Sequence, residues 1–351
     1  MSAEAHLALV PRERLGRHPA ARGWRRLRPG AALDEIRVLK EPSKGVKKSA
    51  VYRLDGAGPG GRPVIAKLAL RDSAALEARV YERFLGPIGL PAPAYYGTLD
   101  DDGPYRWLFI GDASGRRYSP ADPRHRRLAG RWIARLHEGA SSLPGAERLP
   151  DRGTAHHLEA LGAARGAMLA HGDDPSLAPA EASVLRHLAV LLEEVRASWV
   201  RMEEICAELP PTLVHGDLVR KNLRIRAVAG GVGAIAFDWE NSGWGPPALD
   251  LAQSATSERF AASACLEAYR STRGPVSLPP EQVERQAAAG TALRFLAAIR
   301  WASLSLGPRW REGDAARPDF VAKRPKTLPR LEAYLAGLER SWRTLEARGW
   351  V

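Results

Sequence analysis

The sequence predicts an α+β fold of two lobes, with strands gathered in the first third of the chain and helices after it. Three observations carry this prediction. Short apolar and β-branched runs bounded by Gly, Pro and Asp fill residues 31–113, helical periodicity prevails from residue 128 onward, and Gly, Pro and charged residues cluster between them at 114–123. The expected organisation is a basic, flexible N-terminal extension (1–30), a strand-rich first lobe (31–113) and a larger helical second lobe (114–351). At 351 residues the chain can bury one large core or two modest ones.

Each element follows from its residues. Residues 1–30 are Arg-rich and lack the apolar stretch of a secretory signal. Residues 36–39 and 50–54 read as strands. Between them, Ser43-Lys44-Gly45-Val46-Lys47-Lys48-Ser49 reads as a solvated hairpin turn or as a basic flap over phosphate. With one glycine, its amides would cradle an anion less closely than a Gly-rich loop. Residues 55–61 form a turn, and 63–70 form an apolar strand interrupted by Lys67. A buried lysine is costly unless paired. Either that strand lies at an edge, or Lys67 grips the α- and β-phosphates of a nucleotide beside an acidic partner. The helix predicted over 74–85 offers Glu77 and Glu82 for that purpose. Strands at 95–99 and 107–110 follow, then a helix at 128–137 with Trp132, Ile133 and Leu136 on one face and His137 as a helix-end residue. Later helices are expected at 158–169, 181–205, 281–306 and 328–347. The last carries a Leu331, Leu335, Leu338, Trp342, Leu345 stripe that suits a core or a partner-facing seam.

The chemistry concentrates in Leu213-Val214-His215-Gly216-Asp217, with Asn222 and then Asp238-Trp239-Glu240 after the small apolar strand at 234–237. Transfer of a γ-phosphoryl group is mostly positioning and charge neutralisation. It needs a carboxylate on the attacking hydroxyl and hard oxygen ligands for Mg²⁺. Asp217 fits the first need, and Asn222 and Asp238 fit the second. A second His-Gly-Asp, at His171-Gly172-Asp173, follows a helix, has alanine at 178 and no strand after it, and reads as a surface loop.

These residues resemble the catalytic core of the aminoglycoside phosphotransferase and choline kinase superfamily. The resemblance runs from about residue 36 to the C-terminal helices. It implies a protein-kinase-like fold, with a small antiparallel-sheet N-lobe and a larger, mostly helical C-lobe, and ATP or another nucleoside triphosphate lying between them. It also implies Asp217 as catalytic base, Asn222 and Asp238 as Mg²⁺ ligands, and Glu77 as the partner of Lys67, with Glu82 a second candidate. Ile110-Gly111-Asp112 stands where the family's nucleotide hinge would run, making Ile110 and Asp112 cofactor contacts and leaving ATP against GTP open. Asp-Trp-Glu stands where protein kinases carry Asp-Phe-Gly, which favours the small-molecule branch. Gly243-Trp244-Gly245-Pro246-Pro247-Ala248-Leu249-Asp250-Leu251-Ala252 resembles the family's Gly-x-Pro and Asp-Leu-Ala element, in which Asp250 braces the catalytic loop through backbone hydrogen bonds.

The expected activity is an ATP- and Mg²⁺-dependent kinase acting on a hydroxyl of a small molecule, an antibiotic among the candidates. The alternative is a nucleotide-binding pseudokinase without transfer. Cys206 and Cys265 show neither metal nor disulfide spacing, which suits a reducing, cytoplasmic setting, and no apolar run would span a bilayer. The net charge of +12 comes from scattered arginines, so neither nucleic acid nor membrane is an expected partner, and the charge argues mildly against a polycationic acceptor. Glu240, Glu258 and Asp319 are the local acids that could offset it. Gly231-Val232-Gly233 leads into a strand where a dinucleotide fingerprint would follow one. His156-His157 reads as a surface pair. Trp239, Trp244 and Trp301 are candidates for stacking on a substrate ring or for burial.

Overall fold

The computed structural model describes residues 8–41, 49–252, 263–274, 278–307 and 318–351. They form two compact units, Met1–Ser119 with Asp217–Ser242, and Pro120–Gly216 with Gly243–Val351. The first unit thus reclaims a segment that the sequence assigned, with all of 114–351, to the second lobe. The predicted flap at Ser43–Lys48, together with Glu258 and the side chain of Asp319, lies outside the described residues.

The first unit begins with order where the arginine content suggested flexibility. Val10 N–H donates to the Ile36 carbonyl at 3.0 Å, and α1 (Arg12–Leu15) leads to α2 (Pro19–Leu27). A ring nitrogen of His18 caps α2 and Pro19 opens it. The helix turns Arg22, Arg25 and Arg26 to solvent while Ala20, Ala21 and Trp24 are buried. Trp24 donates from its indole to the Ala57 carbonyl at 3.0 Å and packs on Tyr96 and Phe109. Composition averages over that stripe and hides it.

Strands β1 (Glu35–Lys40), β2 (Ser49–Asp55), β3 (Val64–Leu70), β4 (Tyr95–Asp100) and β5 (Tyr105–Gly111) form one antiparallel sheet in the order β1-β2-β3-β5-β4. β3 is its central strand, with Lys67 opposite Val51 on one side and Leu108 on the other. The edge position considered for Lys67 is therefore ruled out. Between β3 and β4 run α3 (Arg71–Val80), a wide π turn at Tyr81–Leu85 and α4 (Gly86–Ile88), closed by Gly89 at φ 69°. The short β6 (Arg116–Arg117) pairs with β8, described below.

The second unit is helical. Asp122 caps α5 (Pro123–Ser141) by accepting the Arg124 N–H at 2.8 Å. After α6 (Thr154–His171) the single helix expected at 181–205 divides into α7 (Pro179–Ala197) and α8 (Trp199–Ala207) at Ser198, whose φ of −99° and ψ of 17° leave the helical range. Neither Gly nor Pro marks that break, so the apolar period runs through it. β7 (Thr212–Val214) is wholly buried. The chain then returns to the first unit as the hairpin of β8 (Leu223–Val228) and β9 (Gly231–Ala236). β10 (Gly243–Gly245) pairs back onto β7, with Gly243 opposite Val214. Helices α9 (Ala248–Leu251), α10 (Ser263–Thr272), α11 (Pro280–Ser303) and α12 (Pro318–Ala347) complete the unit. The α12 stripe packs into a core with α7 and α11, so its apolar face is internal. Among the described residues no helix is long and apolar enough to cross a membrane.

Candidate functional site

Lys67 is the hub of the site. β3 places it inside the sheet at 7% exposure, and α3 buries Glu77 at 1%. The Lys67 ammonium donates to Glu77, to Oδ1 of Asp238 at 2.5 Å and to Oε2 of Glu240 at 3.1 Å. Glu82, five residues on from Glu77, is exposed. Five residues carry a helix roughly 140° round its axis, so the two glutamates cannot share a face.

Asp238 and Glu240 reach Lys67 together because Trp239 between them is fully buried and donates its N–H to Oε2 of Glu77 at 3.3 Å. That turn forces Asp238 to φ 72°, the left-handed region, and it is the one non-glycine residue there among those described. Such strain persists where the surroundings over-determine it.

Burial works against the charge on Lys67, but Glu77, Asp238 and Glu240 outweigh it and raise its pKa. Burial pushes the Glu77 carboxyl up to about 7, with Lys67 opposing and Asp238 adding. Three carboxylates share one ammonium, and carboxylate oxygens of Glu77, Asp238 and Glu240 lie within 4.8 Å of one another. Hard oxygen donors with excess negative charge suit Mg²⁺.

Asp217 and Asn222 meet through a tight loop. Val219 N–H donates to the Asp217 carbonyl at 2.8 Å, and Asn222 N–H to that of Val219 at 2.9 Å. The Asn222 amide then donates from Nδ2 to the carbonyl of Asp217 at 2.8 Å and to its Oδ2 at 3.1 Å. Lys221 Nζ lies 3.3 Å from the same carboxylate oxygen. Leu223 pairs with Ala236, and Phe237 N–H donates to the Asn222 carbonyl at 3.2 Å. The β8–β9 ladder thereby sets Asn222 and Asp238 at one end of the hairpin. With Nδ2 engaged, Oδ1 is the atom Asn222 has to offer a cation.

The residues just before Asp217 are held within the second unit. Both oxygens of Asp250 accept the His215 N–H, at 3.1 and 2.9 Å, and Oδ1 accepts the Gly216 N–H at 3.0 Å. Nε2 of His137 lies 3.1 Å from Oδ2 of Asp250, and its Nδ1 lies 3.1 Å from the Tyr269 hydroxyl. The bracing expected of Asp250 is present. His137 is a buried member of it, not merely a helix-end histidine. The signal was its place four residues after Ile133, on the apolar face.

Ile110 sits in β5 opposite Ile65 and Tyr95. The Asp112 N–H donates to the Pro63 carbonyl at 3.2 Å, while its carboxylate accepts the Ser114 N–H and pairs with Arg53, both at 3.0 Å. A base contact from Asp112 therefore rests on its carbonyl. The other His-Gly-Asp ends α6, with Asp173 exposed beside Arg186 and no strand after it.

The model of the phosphotransferase enzyme family matches residues 38–275. No curated protein matches the chain significantly. Among solved structures, the spectinomycin phosphotransferase APH(9)-Ia, complexed with ADP and spectinomycin, is 11% identical and superposes with a TM-score of 0.58, covering 89% of this chain and 94% of that one. The F108L mutant of aminoglycoside 2'-phosphotransferase-IIIa, complexed with GDP, is 12% identical with a TM-score of 0.58, over 92% and 95% of the two chains. A microcompartment-associated aminopropanol kinase is 16% identical with a TM-score of 0.54, over 92% and 94%. At these identities the likeness is one of fold.

Proposed function

The chain belongs to the phosphotransferase enzyme family, and from that premise we propose that it transfers the γ-phosphoryl group of a nucleoside triphosphate, ATP foremost, to a hydroxyl of a small molecule. One observation carries this reading: a single ammonium, Lys67, is gripped by Glu77, Asp238 and Glu240, while the same unit holds the Asp217 carboxylate against Asn222.

In this reading Lys67 positions the α- and β-phosphates, and Glu77 keeps its ammonium in place within β3. Asn222 and Asp238 hold Mg²⁺, which when bound would neutralise phosphate charge. Asp217 accepts the hydrogen bond of the acceptor hydroxyl, orients its oxygen toward the γ-phosphorus and takes its proton as the new oxygen–phosphorus bond forms and the bond from that phosphorus to the β,γ-bridging oxygen breaks, the nucleoside diphosphate leaving with the electron pair. Asp250 and His137 fix the backbone leading into Asp217, so the carboxylate does not have to be ordered on each turnover. The relatives complexed with ADP and GDP support nucleotide use, and the range from an antibiotic to an amino alcohol supports a small hydroxylated acceptor. Antibiotics stand among the candidates. Two buried, free cysteines suit a cytoplasmic setting.

The test is incubation of the full chain with Mg-ATP and pooled antibiotics and metabolites, read by mass for addition of a phosphoryl group. Transfer is expected, and it should vanish in Asp217→Ala and Asp238→Ala with the fold retained. Thermal stabilisation by ATP without transfer to any acceptor would instead support a regulatory nucleotide-binding module.

A further inference from the structure

A phosphoryl group in transfer spreads negative charge over its three outer oxygens, and its site has to supply cations there. Lys67 is already held by Glu77, Asp238 and Glu240. With Asp217 as a fourth carboxylate in the same unit, the site is short of positive charge. That excess repels a triphosphate, and the cation assigned to Asn222 and Asp238 offsets only part of it.

Lys221 stands where a further cation is needed. It lies in the 3-10 turn, Arg220–Asn222, that closes the loop from Asp217. Its Nζ is 3.3 Å from Oδ2 of Asp217, the oxygen that Asn222 Nδ2 reaches at 3.1 Å. The carboxylate read as base, the amide read as metal ligand and this ammonium therefore converge on one atom. The backbone of Lys221 is held, since Nη1 of Arg224 donates to its carbonyl at 2.9 Å. Its side chain is 69% exposed, against 29% for Asp217. An ion pair so exposed adds little to stability, and little opposes its exchange for a stronger one. An attacking oxygen within hydrogen-bond reach of Asp217 and roughly 3–3.5 Å from the γ-phosphorus brings the γ-oxygens close to this ammonium. A compact charge with three donors on a flexible stem can follow them.

We propose that Lys221 is a further catalytic residue, whose ammonium pairs with Asp217 before a triphosphate binds and then moves onto the γ-phosphoryl oxygens, leaving Oδ2 of Asp217 to the acceptor hydroxyl. Lys221 stays protonated throughout. The acceptor's proton goes to Asp217 and the electron pair leaves with the nucleoside diphosphate, so Lys221 only offsets charge. This deepens the function proposed above and rests on it. The sequence signal is Arg220-Lys221, a basic pair inside the loop that runs from Asp217 to Asn222.

Titration calorimetry of the full chain with Mg-AMP-PNP and Mg-ADP, which differ by the γ-phosphate, tests it. Lys221→Met keeps the stem and removes the charge. It should weaken Mg-AMP-PNP at least tenfold, leave Mg-ADP within twofold and leave the thermal midpoint unchanged. Lys221→Arg should recover part of the loss. Arg220→Met, which removes an exposed charge one residue away, should move neither nucleotide. Equal effects of Lys221→Met on the two nucleotides, or none on either, would overturn the proposal. The selective loss without transfer to any acceptor would keep the Lys221 contact and remove the proposed transfer. Transfer with the two affinities unmoved in Lys221→Met would keep the proposed function and remove Lys221 from it. Wild type that binds neither nucleotide would overturn both.

Discussion

Nε2 of His137 lies 3.1 Å from Oδ2 of Asp250, and both side chains are fully buried. Burial drives the His137 pKa down, with Asp250 opposing, so the ring stays neutral. Burial alone would raise Asp250, but the hydrogen bonds from His137 and His215 prevail and hold it below the ordinary range. The assignment that follows is a neutral imidazole donating from Nε2 to a carboxylate and accepting the Tyr269 hydroxyl at Nδ1. His137→Ala leaves a buried carboxylate one donor short. It should lose about 2–3 kcal/mol in urea denaturation, as charged hydrogen bonds do, and lower kcat more than it raises the nucleotide KM. His137→Gln, which keeps an N–H donor, should recover part of both. An alanine variant with wild-type stability and turnover would contradict this account.

Asp238 at φ 72° separates conformational demand from chemistry. Asn tolerates the left-handed region, whereas a β-branched side chain there is a genuine outlier. Asp238→Asn should fold nearly as well as wild type and lose transfer by two orders of magnitude or more. Asp238→Val should be less stable than Asp238→Asn by roughly 1–3 kcal/mol. Thermal melts of the two variants side by side decide the point, and equal midpoints would show that the backbone is not strained.

Gly290 in α11 faces the backbone of α9. A Cβ there would meet the Ala248 carbonyl oxygen at 1.9 Å, two residues before Asp250. Gly290→Ala must push α9 away and shift the brace on His215 and Gly216. Expected are a loss of about 1–3 kcal/mol from overpacking and a fall in kcat, although residue 290 lies far along the chain from Asp217. Gly162→Ala is the control: nothing lies within 4 Å of a Cβ at that position of α6, so stability should hold or rise slightly.

The contribution of His157 to stability should fall as the solution is acidified. His157 is buried to 4% exposure, so His156-His157 is not a surface pair. Burial, followed by His156 and Arg152, pushes its folded-state pKa down to about 4, below the ordinary 6.5. Unfolding therefore takes up a proton between those values. The contribution is complete above about pH 6.5 and lost as pH drops toward 4, a change of about 3 kcal/mol in the limit. His137 acts in the same direction. Glu77, raised to about 7, acts with the opposite sign, its contribution lost as pH rises through that value. Comparing urea midpoints at pH 7 and pH 5 in wild type and His157→Phe isolates the histidine. The variant should lose less on acidification, and an identical loss would rule His157 out.

Much of the site was legible because local chemistry exposed it. Lys67 stands out as one charge in an apolar run, and its burial in a central strand follows from the neighbours that run implies. Asp217, Asn222 and Asp238 carry a spacing that a loop and a hairpin can close. What stayed hidden depends on distant partners or on averaged signals. His137 acquires its role only from Asp250 and Tyr269, more than a hundred residues away. Glu77 and Glu82 differ by helix phase, which the wide turn at Tyr81–Leu85 makes hard to count. β8 was legible and missed. Leu223 and Ile225 are buried while Arg224 and Arg226 are more exposed, a period of two masked by the weight of arginine. α2 disappeared into the same basic composition.

The pairing of β7 with β10 has a practical corollary. Asp217–Ser242 leaves its neighbours two residues after Val214 and rejoins them at Gly243, and those two residues face each other in one ladder. The segment's outgoing and incoming ends are therefore stitched side by side, as the ends of an exchangeable cassette must be. Replacing Asp217–Ser242 therefore keeps the β7–β10 seam continuous, and an incoming segment has to reproduce the contacts of Asp238, Trp239 and Glu240 with Lys67 and Glu77 and the pairing of β8 with β6.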